Sequence, residues 1–203
     1  MKHWKCTVCG YRHAGEKPPA RCPTCGANAY QFILAAPLPE PLEGLLREAF
    51  AGESKAHVRN RAFARKAEQE GFPAIARLFR AVALAERIHA EEYLKYLEGV
   101  VGETAENLQT AFENEIRAKG EIYPSLIKKA LEHQREDLAW SFIRARDVED
   151  RHARLYKEAL GAMLADREPV YHVCGICGYV FEGSLPEECP VCRTTRDRFQ
   201  RVD

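Results

Sequence analysis

Glu86-Arg87-Ile88-His89-Ala90-Glu91-Glu92-Tyr93 and Glu149-Asp150-Arg151-His152-Ala153-Arg154-Leu155-Tyr156 carry one frame, Glu-x-x-His-Ala-x-x-Tyr, at an offset of 63 residues. Steps of three and four return to the same side of an α-helix, so each frame aligns a glutamate, a histidine and a tyrosine on one face. Upstream of each lies a second shared element. Ala49-Phe50-x-x-Glu53 recurs as Ala111-Phe112-x-x-Glu115, at an offset of 62. The centre of the chain therefore reads as a duplicated helix pair.

Helical periodicity predicts four long helices, over 42–70, 72–98, 104–132 and 135–165. Gly71-Phe72-Pro73 separates the first two, Gly99 and Gly102 bracket the next break, and Thr104 is the expected N-cap of the third. The last break is placed at Glu132-His133-Gln134. Helices of this length are usual in bundles. Each apolar stripe carries ionisable groups at its centre: Glu53 on the first helix, Glu86 and His89 on the second, Glu115 on the third, Glu149 and His152 on the fourth. Four inward carboxylates without counter-charge would repel one another and resist burial. Two divalent cations neutralise them, and the ordered set Glu, Glu-x-x-His, Glu, Glu-x-x-His is the ligand pattern of two-metal carboxylate bundles. A polar stripe facing solvent or a partner is the competing reading.

All eight cysteines lie outside this region, in two short flanks. The first reads Cys6-x2-Cys9-Gly10, then Cys22-Pro23-x-Cys25-Gly26; the second reads Cys174-x2-Cys177-Gly178, then Cys189-Pro190-x-Cys192. A C-x2-C pair turns both thiolates toward one ion, and two pairs close a four-sulfur tetrahedron that suits zinc or iron alike. Flanks this short cannot build a sufficient apolar core, so the metal must hold them. The close pairing disfavours disulfides. Tyr11 and Tyr179 follow the second cysteine of each flank by two residues, Phe32 and Phe199 follow the fourth by seven, and Trp4 precedes the first. Pro37-Leu38-Pro39-Glu40-Pro41 and Glu168-Pro169 mark the joints, which gives three segments: 1–36, 37–167 and 168–203.

Thirty Lys and Arg balance thirty Asp and Glu, which gives no support to nucleic-acid binding. No stretch approaches the roughly 20 apolar residues of a membrane span. The opening Met1-Lys2-His3-Trp4-Lys5 lacks the apolar heart of an export signal, so a cytoplasmic location is expected. His3, His13, His57, His133 and His172 belong to no ligand pattern and read as ordinary polar residues.

The flanks resemble rubredoxin, the one-iron electron carrier, through C-x2-C-G-Y and C-P-x-C. The centre resembles rubrerythrin, a ferritin-like di-iron protein joined to a rubredoxin domain. The carriers are Ala49-Phe50-x-Gly52-Glu53-Ser54, Glu86-x-x-His89-Ala90, Thr104-Ala105-Glu106-Asn107-Leu108, Ile122-Tyr123-Pro124 and Glu149-x-x-His152-Ala153. The resemblance implies a mainly α fold, a ferritin-like four-helix bundle flanked by two rubredoxin-like metal knuckles. It implies two non-haem irons held by Glu53, Glu86, His89, Glu115, Glu149 and His152, with Tyr123 hydrogen-bonding beside them. One iron in each four-cysteine set follows, held by Cys6, Cys9, Cys22 and Cys25 or by Cys174, Cys177, Cys189 and Cys192; zinc in one or both stays open. The implied activity is reduction of hydrogen peroxide to water, with electrons relayed through the one-iron domain.

An external reductase using reduced pyridine nucleotide would supply the electrons, since the chain has no Gly-x-Gly-x-x-Gly element. A homodimer is the family expectation. Family members usually carry one knuckle, at either end; this chain carries both. They also carry a further glutamate three residues after the position of Glu115, where this chain has Ala118, and commonly a tyrosine where it has Asn60. Both departures move the site toward a simpler six-ligand centre. Dioxygen reduction, or iron oxidation and storage without efficient peroxide turnover, is the alternative activity.

Overall fold

The computed structural model describes residues 1–163 and 168–202. It divides into two compact units, Met1–Val101 and Gly102–Asp203, each holding one knuckle and one set of helices. The architecture is the expected mainly α bundle class with two small β knuckles.

In the first unit, strands β1 (Lys2–Cys6), β2 (Arg12–Gly15) and β3 (Phe32–Leu34) form an antiparallel sheet in the order β2-β1-β3. Register pairs Trp4 with His13 and Cys6 with Phe32. Cys6, Cys22 and Phe32 make the small core, with Trp4, Tyr11 and Ala27 packed on it. The aromatics at the repeated positions are therefore packing residues, and the Trp4 indole N–H is satisfied by the Gly15 carbonyl at 3.1 Å.

Helix α1 (Glu40–Gln69) begins with Pro41 in its first turn, where the missing N–H costs nothing, and α2 (Pro73–Leu94) begins on Pro73. Between them Gly71 adopts a left-handed φ of 81° and the Phe72 N–H reaches back to Ala67 O at 2.8 Å, a Schellman ending. α2 stops short of the expected 98. From Lys95 onward the backbone N–H groups bond three residues back, which tightens the chain into turns.

In the second unit, α3 (Thr104–Arg117) has Glu103 as its N-cap, not Thr104. The Glu106 carboxylate accepts the Glu103 backbone N–H at 2.9 Å, and Thr104 is the first helical residue. The expected third helix is interrupted by a π-helical stretch, Ala118–Ile122, before α4 (Tyr123–Glu132). α5 (Glu136–Gly161) follows a second Schellman ending, in which Gln134 takes the left-handed φ of 56° and the Arg135 N–H reaches Ala130 O at 2.8 Å. The expected run of the fourth helix to 165, and the 167/168 joint, reach residues outside those described. Strands β4 (Tyr171–Cys174), β5 (Val180–Glu182) and β6 (Phe199–Val202) form the second sheet, in the order β5-β4-β6, around Cys174, Phe181 and Cys189.

The duplicated pattern is visible in the packing. Ala67, Ala76 and Ala90 are buried in the first unit and Ala130, Ala139 and Ala153 in the second, each pair at the offset of 63. Small side chains let the helices of a unit approach closely. The ligand stripe lies elsewhere: Phe63, Ile75, Leu78, Ile122, Leu126 and Leu138, which three- and four-residue steps place on the ligands' face, are each more than a third exposed. Three- and four-residue spacing fixes which residues share a face, but both faces of these alanine-rich helices carry apolar groups, and the alanines won the contact within each unit.

Candidate metal centres

In the first knuckle the sulfurs of Cys6 and Cys25 lie 3.8 Å apart and those of Cys9 and Cys22 3.6 Å apart. In the second, the Cys174–Cys192 and Cys177–Cys189 separations are both 3.6 Å. A disulfide needs about 2.05 Å. A tetrahedral ion with metal–sulfur bonds of about 2.3 Å sets sulfur–sulfur edges near 3.8 Å, which these distances approach. All eight thiols are free, and the four ligand atoms of each set lie within 4.8 Å of one another.

The thiol acidities are those of crowded ligands. Burial opposes ionisation of Cys22, yet the N–H groups of Cys25 and Thr24 outweigh it and bring that thiol down to about 7. The Tyr11 N–H favours the Cys9 thiolate, but desolvation and the thiols of Cys25, Cys22 and Cys6 push it up to about 12. Four thiols this close cannot all ionise unaided; a cation among them removes the conflict.

The helices build two further clusters, one per unit. Glu53 from α1 meets Glu86 and His89 from α2; Glu115 from α3 meets Glu149 and His152 from α5. His89 Nδ1 lies 3.3 Å from Glu86 and 3.7 Å from Glu53. His152 Nδ1 lies 2.9 Å from Glu149 and 3.8 Å from Glu115. In each triad two carboxylates and one ring nitrogen converge, a donor set suited to a divalent ion that accepts oxygen and imidazole. The carboxylates of a triad crowd one another. Hydrogen bonding to Glu86, then desolvation, raises the Glu53 pKa; burial, then the charge of Glu149, raises that of Glu115.

Tyr123 donates its hydroxyl to Glu149 at 3.3 Å. Burial, then the charge of Glu149, pushes its phenol up, so it stays a protonated donor. The π-helical stretch explains why Tyr123 takes this place. In an unbroken helix Ile122, seven residues after Glu115, would share the glutamate's face; one inserted residue turns Tyr123 there instead and leaves Ile122 45% exposed. The sequence held the signal. The repeat offset is 62 at Glu53 and Glu115 but 63 from Ala67 and Ala130 onward, so one residue is inserted between those points. Asn60 then corresponds to Tyr123.

Two contacts escaped sequence reasoning. His57, read as an ordinary polar residue, places Nδ1 2.7 Å from the Ala83 carbonyl and so ties α1 to α2. His152 Nε2 lies 3.2 Å from the Gly178 carbonyl, in the second knuckle. No periodicity encodes a contact between segments so distant in sequence.

The family described as Rubrerythrin matches residues 44–160, and its rubredoxin-like domain matches residues 4–33 and 172–200. Nigerythrin of Nitratidesulfovibrio vulgaris is 35% identical over 167 residues, covering 76% of this chain and 83% of that protein. Rubrerythrin-2 of Clostridium acetobutylicum is 31% identical over 172 residues, covering 76% and 93%. Reverse rubrerythrin-1 of the same organism is 36% identical over 133 residues, covering 57% and 73%.

Proposed function

The chain belongs to the rubrerythrin family, whose cofactor architecture of four-cysteine knuckles and carboxylate–histidine triads it carries, and from that premise we propose that it is a di-iron peroxidase. The reaction consumes hydrogen peroxide, two electrons and two protons and yields two waters. Bound iron would supply Lewis acidity and one electron per ion.

The residues divide the remaining work. Glu53, Glu86 and His89 would hold one iron and Glu115, Glu149 and His152 the other, the cations offsetting the carboxylate charge whose burial is otherwise costly. Tyr123 keeps its proton on the hydroxyl and fixes the Glu149 carboxylate by donating to it. Four cysteines in each knuckle would hold one iron, and that thiolate cage would supply one-electron redox chemistry with little rearrangement. Trp4 and Phe32 in one knuckle, and Phe181 and Phe199 in the other, shield the cage from water. Electrons enter from an external reductase that uses reduced pyridine nucleotide. A homodimer in the cytoplasm, and the three-segment division at 36/37 and 167/168, complete the proposal. No helix among the described residues is long and apolar enough to cross a membrane.

The observation that carries this reading is the presence, in one chain, of two triads of two glutamates and a histidine together with two sets of four cysteines. One substitution favours a second reading. Ala118 stands three residues after Glu115 and brings no carboxylate to the site, so dioxygen reduction or iron oxidation without rapid peroxide turnover is the alternative.

Anaerobic, iron-loaded full-length chain separates the two. After reduction its visible colour bleaches; peroxide added in the absence of air restores it, with one peroxide consumed per two electrons lost. Colourless knuckles, or peroxide left unconsumed, would overturn the peroxidase reading. Ala118→Glu sharpens the test: faster peroxide turnover identifies Ala118 as the functional departure, and unchanged turnover removes it from the explanation.

A further inference from the structure

Beside the second triad lies a hollow far larger than hydrogen peroxide. This apolar cavity of about 430 Å³ is lined by Leu108 from α3, by Leu155 and Ala159 from α5, and by Val173, Val180 and Val202 from the second sheet, all within one unit. Hydrogen peroxide fills roughly 60 Å³, two water volumes. Among the described residues no carboxylate, ammonium or guanidinium lines the hollow; the rings of His152, Tyr156 and Tyr171 complete it. His152 joins it to the triad, since the same ring turns Nδ1 to Glu149 at 2.9 Å. Tyr156 makes a second link. Burial, then the charges of Glu115 and Glu149, push its phenol up, which places it beside the carboxylates as well as on the cavity wall. Val202, 52% exposed, marks the mouth.

The second knuckle roofs this hollow because it is held on α5. Arg151 donates Nε to the Val180 carbonyl at 3.2 Å, and His152 Nε2 lies 3.2 Å from the Gly178 carbonyl. The first unit differs at each of these points. At the repeat offset Ile88 stands for Arg151, Glu92 for Leu155 and Tyr96 for Ala159, so a carboxylate and a large ring take the positions that the second unit keeps apolar and small. Glu92 pairs with Lys95. The cavity where the first knuckle meets α2, lined by Lys5, Ile33, Leu94 and Leu97 among others, reaches neither His89 nor Tyr93. Packed interiors leave few voids larger than one water. An apolar wall holds water poorly, so an alkyl chain that displaces it gains affinity. A concave, mainly apolar space with a few polar groups at one end has the form of a small-molecule site.

We propose that the second triad accepts alkyl hydroperoxides, with the hydroperoxide head at Glu115, Glu149 and His152 and the alkyl chain in this cavity. The reductant is that of the di-iron peroxidase reading, on which the proposal rests. Two electrons, supplied by ferrous iron that becomes ferric, break the oxygen–oxygen bond. Two protons from solvent complete the products: an alcohol from the oxygen that carries the chain, and water from the outer oxygen. Leu155 and Ala159 set the specificity for the chain without touching the reacting oxygens. Each methylene buried along the wall should raise affinity about fourfold, the equivalent of ~0.8 kcal/mol.

Binding can be read without iron. In full-length protein with zinc in both knuckles and the triads metal-free, the straight-chain alcohols butanol, hexanol and octanol, products of the matching hydroperoxides, should shift the methyl resonances of Leu108, Val173, Val180 and Val202. The dissociation constant should fall about fourfold per added methylene. Ala159→Tyr, which copies the first unit, should abolish the shifts, and Ala159→Leu, a smaller filling, should weaken binding by a smaller factor. In the reduced, iron-loaded chain, the ratio of kcat/KM for hexyl hydroperoxide to that for hydrogen peroxide should fall about tenfold or more in Ala159→Tyr, through a higher KM for the alkyl substrate. Binding that ignores chain length, shifts that persist in Ala159→Tyr, or an unchanged ratio would each overturn the inference. So would consumption of hydrogen peroxide with none of hexyl hydroperoxide. Chain-length-dependent binding in a protein that consumes neither peroxide would instead overturn the peroxidase reading and leave the cavity an alkyl-chain site.

Discussion

Gly71 and Gln134 hold the same place in the two helical hairpins, as do Asn60 and Tyr123, Ile88 and Arg151, and His89 and His152. In the first unit the hairpin turn is made by glycine, no tyrosine donor to the triad is seen among the described residues, and its histidine is 53% exposed. In the second, glutamine bears the left-handed turn at φ 56°, Tyr123 bonds Glu149, and His152 is closed over by the knuckle. The two halves share one plan of donors and differ in what surrounds it. The two triads are alike in their donors and unequal in what encloses them.

The largest effect should come from breaking the knuckles one at a time. Cys22→Ser or Cys189→Ser removes a ligand from a fold that metal binding stabilises by on the order of 10 kcal/mol, so the affected sheet should lose its amide-exchange protection. The comparison lies in the reach of the damage. Cys22→Ser should leave the His89 ring environment unchanged, whereas Cys189→Ser should also release His152 from Gly178.

A smaller effect tests the triads. Glu115→Gln should remove metal from the second triad and spare the first, so metal analysis reads one helical ion where the parent holds two. The same variant should make the metal-free helices more stable at neutral pH, because an ionised, part-buried carboxylate is gone.

That gain has a pH window. Folding raises the pKa of Glu53 and Glu115 above the ordinary 4.5, so between 4.5 and the raised values the folded chain binds more protons than the unfolded one. Stability must then fall as pH rises through the folded pKa values. Denaturant midpoints measured against pH, with zinc kept in the knuckles and the triads empty, should decline across this window. Glu115→Gln should flatten the decline.

The smallest effect concerns the hairpin turns. Gln134→Gly should stabilise the chain by roughly 0.5–1 kcal/mol, the relief of a left-handed side chain less the entropy of glycine. Gly71→Gln should destabilise by a similar amount, read from thermal melts of each variant.

Much of this was legible without coordinates, and the reasons are local. Cys6 and Cys9, or Glu86 and His89, are brought together by a three-residue step that a knuckle turn or a helix converts directly into proximity. Glu53 and Glu115 needed one more step, the duplication that pairs each with a frame downstream. The inserted residue before Tyr123 was also written in the chain, as the shift in offset from 62 to 63, although its π-helical form was not. The stripe was harder. Leu78 and Leu138 lie three- and four-residue steps from the ligands, yet the alanine faces made the contact within each unit, since hydrophobic spacing names a face without naming its partner.

The sequence by itself determined the donors, their grouping by knuckle and by helix, and the duplicated plan, because each follows from bonded distance and helical pitch. Only the tertiary structure decided that His152 meets Gly178 while its counterpart His89 meets no knuckle among the described residues. That choice was made by Arg151, Leu155 and the valines of a distant sheet, and contacts between remote segments depend on surfaces that exist only after each segment has folded.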